Sequence, residues 1–142
     1  MRRAVALACL VCAPAVFAAE DGRTFAPLTP AAQATLRDEM LGNLRALNDL
    51  ITLVADGKLA EAAVVADTEL GFGAMGRNRA LPMDARPGPQ MPQAMHRMGI
   101  EGHQAANRFA EAARAGDQAL ALRRLGELTT TCVVCHHAWR TR

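Results

Sequence analysis

The sequence predicts an all-α protein, an antiparallel four-helix bundle, and three observations carry the prediction. Ala and Leu dominate a chain that has no tyrosine and only 4% aromatic residues, a composition that favours helix over sheet. Apolar residues recur three and four apart in four separate stretches. Two short glycine turns and one longer Gly/Pro-rich connection separate those stretches, as in helices that run antiparallel to their neighbours.

The first element falls outside the bundle. Met1-Arg2-Arg3 is a short basic start, Ala4 to Phe17 is an uncharged and mainly apolar run, and Val16-Phe17-Ala18 presents a small-residue cleavage site before Glu20 and Asp21. That is the layout of a secretory signal peptide over residues 1–18, too short for a membrane anchor. One domain remains, residues 19–142, and removal of the leader takes Cys9 and Cys12 with it. Arg2 and Arg3 leave as well, so the mature chain is close to neutral, with no charge excess to attract nucleic acid or an anionic membrane surface. After cleavage nothing is left to insert in a membrane.

Residues 19–28 read as a loose leader to the domain. Thr29-Pro30 reads as an N-cap followed by proline at the first helical position. The first helix then carries Leu36, Met40, Leu44, Leu47, Ile51 and Val54 on one apolar stripe, and Asp56-Gly57 stops it. A second helix runs from about Leu59 to Leu70 with Ala62, Ala63 and Ala66 on its inner side, and Gly71 ends it. Residues 71–90 hold four glycines and three prolines and form the one long connection. Arg77, Arg79 and Arg86 stand in it, open to solvent, to a partner or to the carboxylates of a cofactor. The third helix starts near Met91-Pro92 and carries Met95, Met98, Gly102, Ala105, Phe109 and Ala112; Ala115-Gly116-Asp117 closes it. The fourth carries Ala121, Leu125, Leu128, Cys132, Cys135 and Trp139 on its stripe. The segment Thr129 to Val134 is rich in β-branched residues, but the helical period persists on both sides of it, so helix is the expectation there.

The chemistry lies in Cys132-Val133-Val134-Cys135-His136. C-x-x-C-H is the attachment signature of c-type haem. Two thiols one turn apart on the same side of a chain can add to the two vinyl groups of one porphyrin edge, and the following His136 is then held where its imidazole reaches iron. The alternatives are a thioredoxin-type redox pair, which lacks its βαβ context here, a zinc site, for which His96 and His103 are poorly spaced, and a plain structural disulfide outside the cytoplasm.

An export signal, a four-helix pattern and C-x-x-C-H-x-x-[aromatic]-R a few residues from the C-terminus (Cys132, Cys135, His136, Trp139, Arg140) resemble the class II cytochromes c, meaning cytochrome c-prime and its low-spin, methionine-ligated relatives. Trp139 stands where Tyr or Phe is commoner. The resemblance implies one covalent haem c, its iron bound by His136. It implies a periplasmic location, redox partner proteins in that compartment, and a homodimer of the kind relatives often form through their first two helices.

In that family the first helix supplies the residue facing the iron, and Met40 falls where the low-spin relatives place their ligand. The resemblance thus implies a periplasmic single-electron carrier with His136–Met40 ligation. The alternative is a five-coordinate NO/CO-binding protein of cytochrome c-prime type, with Met40 as core packing. Arg140, one turn past His136, is a candidate contact for a haem propionate, with a cap on the fourth helix or a surface position as the alternatives. His103 lies beside the third stripe and is a further candidate for the iron, against hydrogen bonding near the core; His96 is expected in solvent, and His137 points away from His136, into solvent or towards a propionate. No nucleophile–base pair suggests an enzyme.

Overall fold

The computed structural model describes residues 20–141; the predicted leader, with Cys9 and Cys12, lies outside the described residues. The fold is all-α, with four α-helices among the described residues: α1 (Pro30–Ala55), α2 (Leu59–Val65), α3 (Gln93–Arg114) and α4 (Gln118–Ala138). None is long and apolar enough to cross a membrane.

The helix ends follow from the residues that flank them. Thr29 Oγ1 accepts from Ala32 N at 3.2 Å and so caps α1, with Pro30 at the first helical position. Asp117 caps α4 by accepting from Leu120 N at 2.8 Å. Gly57 and Gly116, both at φ 73°, terminate α1 and α3. Each is followed by the paired bonds of a Schellman turn: Lys58 N to Leu53 O at 2.8 Å with Gly57 N to Val54 O at 3.1 Å, and Asp117 N to Ala112 O at 3.3 Å with Gly116 N to Ala113 O at 3.0 Å. α2 runs on into a π-helical turn, Ala66–Leu70, closed by Gly71 N to Ala66 O at 2.7 Å.

α4 is unbroken through the β-branched segment. The hydroxyls of Thr129 and Thr130 donate back to Gly126 O at 2.9 and 2.8 Å, and Thr131 donates to Leu128 O at 2.7 Å. Those bonds satisfy the polar groups within the helix, so β propensity finds no strand to serve.

α3 and α4 form the most extensive helix pair, whereas α1 meets α4 at only a few points. The main core joins Leu50 and Val54 of α1, Ala62 and Ala63 of α2, Phe109 and its alanine neighbours on α3, and Ala121, Leu125 and Leu128 of α4. Small side chains let the backbones approach, and Phe109 fills the centre with no exposed surface. Phe109→Ala is expected to cost about 3–5 kcal/mol of stability, the range for a buried Phe whose cavity cannot collapse. Urea denaturation checks this; a loss below about 1 kcal/mol would place the ring outside the core.

Three expectations need correction. The buried stripe of α1 runs through Ala32, Gln33, Leu36, Ala46, Leu50 and Val54. Leu44 and Ile51, placed on the inner face by their spacing, are more than half exposed. Alanines set the close-packed face here, and large side chains three and four apart drew the eye to its flank. Residues 19–28 are not loose throughout: Thr24–Phe25 (β1) pairs in parallel with Trp139–Arg140 (β2). Ala26 N also donates to Arg140 O at 2.9 Å. Trp139 accordingly leaves the α4 stripe. Its backbone is extended (φ −124°, ψ 150°), and its ring packs on a second small core of Ala26, Leu28, Ala32, Leu36 and Met95.

Candidate functional site

Because α1 and α4 scarcely touch, space is left between them. A cavity of about 520 Å³ lies there, within the roughly 300–1,000 Å³ of cofactor and ligand pockets. α1 contributes Leu36, Glu39, Met40, Asn43, Leu44 and Leu47 to its wall, and α4 contributes Leu128, Thr131, Cys132, Cys135 and His136. α3 adds Met98, Ile100, Gly102 and His103, and the 71–90 connection supplies the remaining side.

The three motif residues sit in the last two turns of α4, where an unbroken helix puts Cys132, Cys135 and His136 on one side. Both cysteines are free thiols. The Cys132 thiol donates to Leu128 O at 3.7 Å. Burial pushes the Cys135 thiol up, and the neighbouring Cys132 adds to the effect, so Cys135 stays protonated at neutral pH. Val133 and Val134, between them, are exposed and turned from the cavity.

Met40 lines the same cavity from α1, with 37% of its surface exposed. Next to it, Glu39 accepts a hydrogen bond from Asn78 Nδ2 of the 71–90 segment. Burial pushes the Glu39 carboxyl up, against the pull of Asn78, Arg77 and His103. His103 is also on the wall, its Nδ1 2.6 Å from Leu70 O; that bond ties the ring to the end of the π turn. His96, expected in solvent, is exposed at the cavity edge, while His137 is exposed and away from it.

Arg140 is not among the residues bordering the cavity. Its guanidinium lies 5.5 Å over the Phe25 ring, and its Nε is 3.6 Å from Asp21 Oδ2. The Asp21 carboxyl is held down at about 2, mainly by the hydrogen bond from the Arg23 side chain. The β1–β2 pairing brings Arg140 to this acid and aromatic ring, outside the cavity lining.

Sequence reasoning missed how the 71–90 segment is held. Asn107 Oδ1 accepts from Phe72 N at 3.0 Å, and a Cβ on Gly71 would come within 2.2 Å of that oxygen. Arg77 Nη2 donates to Glu69 O at 2.9 Å and Thr68 O at 3.4 Å, capping the π turn. Gln90 closes the far end: its Oε1 accepts from Thr29 N at 3.0 Å, and its Nε2 donates to Asp84 O at 2.9 Å and Arg86 O at 3.1 Å. A Gly/Pro-rich segment is thereby fixed against α1 and α3 as one wall of the cavity. The glycines were the only signal for it.

The donor set fits a tetrapyrrole: two thiols and an imidazole on one wall, a thioether on another, and apolar side chains between them. Among the described residues no group of three or more His, Cys, Asp or Glu is placed to hold a bare metal ion. Comparison of the chain with family models, curated proteins and solved structures gave no match.

Proposed function

We propose that the protein is a periplasmic c-type cytochrome of the class II kind: an antiparallel four-helix bundle that carries one covalent haem c and passes single electrons between redox partners. The observation that carries this reading is the meeting of Cys132, Cys135 and His136 from α4 with Met40 from α1 around one cavity of cofactor size. Cys132 and Cys135 would hold the group by thioether bonds, and His136 and Met40 would bind its iron. When bound, haem supplies one-electron chemistry, and His–Met ligation favours electron transfer over ligand binding. The chain's own part is to fix the group, keep water from it with Leu36, Leu47 and Leu128, and present an imidazole and a thioether. The reading includes export by residues 1–18 and no enzymatic turnover.

A second reading is a five-coordinate NO/CO-binding protein, in which the same cavity holds the haem and Met40 on its wall is packing. One experiment separates the two. Absorption spectra of the mature protein, matured with haem-attachment machinery, are taken oxidised and reduced, with and without CO. Sharp low-spin bands, an iron–methionine band in the oxidised state and indifference to CO are expected. A broad high-spin spectrum that shifts with CO would transfer the proposal to the second reading, and a colourless protein would end both.

A further inference from the structure

We infer that the 71–90 segment is the carboxylate-binding edge of the cavity, where Arg79 and Arg86 each hold one of the two propionates of the haem; the inference rests on the haem reading above. Three arginines of this segment border the cavity, but they are not equivalent. Arg77 is spent: its Nε and Nη2 donate to the backbone carbonyls of Ala74, Thr68 and Glu69, and its guanidinium is 3.5 Å from the Glu69 carboxylate. Arg79 and Arg86 each commit only Nε, to Gly76 O at 3.1 Å and Leu81 O at 2.7 Å. Among the described residues neither has an ion-pair partner. The Nε bonds aim the guanidinium groups while leaving their outer N–H groups uncommitted, the fork that matches a carboxylate.

The other charged groups of the wall do not supply the missing negative charge. Glu69 belongs to Arg77. Glu39 from α1 accepts from Asn78, and the cations that act on it are Arg77 and His103, not Arg79 or Arg86. His96 and His103 from α3 and His136 from α4 bring no negative charge at all. A cavity with apolar walls and two uncompensated cations on one side therefore complements a flat apolar group bearing two carboxylates on one edge. Haem has that form, and its vinyl groups lie away from its propionates. With the thiols of Cys132 and Cys135 on α4 holding the vinyl side, the propionates are left to the segment that carries Arg79 and Arg86. Arg140, engaged with Phe25 and Asp21 outside the cavity, is not needed for them.

The test is a pH titration of the holoprotein carrying haem labelled with carbon-13 at the propionate carboxyls, followed by NMR. In Arg79→Gln/Arg86→Gln both propionates should titrate about one unit higher than in the wild type, the size expected when a carboxylate loses a neighbouring guanidinium. Arg86→Gln, at the less exposed position, should give the larger single shift, and Arg86→Lys should restore part of it. Arg123→Gln, exposed on α4 and away from the cavity, should change neither resonance. Unchanged propionate titration in the double variant, with haem still covalently attached, overturns the inference and leaves the cytochrome reading standing. If the double variant does not accumulate, a wild-type titration in Arg86→Gln alone overturns it equally. Absence of covalent haem in the wild type removes both.

Discussion

Cys132→Ser combined with Cys135→Ser will yield a protein without covalent haem. The two thiols are the only cysteines in residues 19–142, they border one cavity, and they lie three apart on an unbroken helix. No other side chain there can form a thioether bond. The loss should be complete: acid–acetone extraction removes all pigment from the variant and none from the wild type. The single variants should retain one bond each, with reduced yield. The helix itself should persist, because Cys132 is exposed and Cys135 half-buried, so circular dichroism should change little. Covalent pigment retained by the double variant would refute attachment at this motif, and an unpigmented wild type with a Cys132–Cys135 disulfide would favour a plain exported binding module.

Met40→Ala should abolish the oxidised-state iron–methionine band, turn the spectrum high-spin and make the reduced protein bind CO. The midpoint potential should fall by on the order of 100 mV, since axial ligands set haem potentials over roughly 0.8 V. A packing role predicts a different pattern. At 37% exposure most of the Met40 side chain is covered, so the variant would lose stability and be spectrally unchanged. Low-spin spectra that survive the substitution would take Met40 off the iron.

The parts of this protein that were legible in its sequence are those decided within a few residues. Thr29-Pro30 announced the start of α1, and Gly57 and Gly116 announced its end and that of α3, because caps and left-handed turns are set by local sterics. The persistence of the helical period carried α4 through Thr129 to Val134 against local propensity. At the site, C-x-x-C-H singled out Cys132, Cys135 and His136, and a family resemblance singled out Met40; all four border one cavity. What was not legible depends on residues far apart in the chain. Gln90 reaches Thr29 across 61 positions, and Trp139 pairs with Thr24, contacts that no periodicity encodes. The contacts of Arg140 with Asp21 and Phe25 depend on the same long-range pairing. Arg79 and Arg86 could be seen in a loop, but only the folded segment puts them on the cavity wall.

The β1–β2 pairing has a mechanical side. The strands are parallel, so chain entering at residue 23 and chain leaving after residue 140 depart from opposite ends of the ladder. A pull applied to those two flanks loads its hydrogen bonds together, in shear, instead of peeling them one by one. Tension between the flanks is carried across Thr24–Phe25 and Trp139–Arg140, and the last turn of α4, with Cys135 and His136, stays out of the line of force until the ladder gives way.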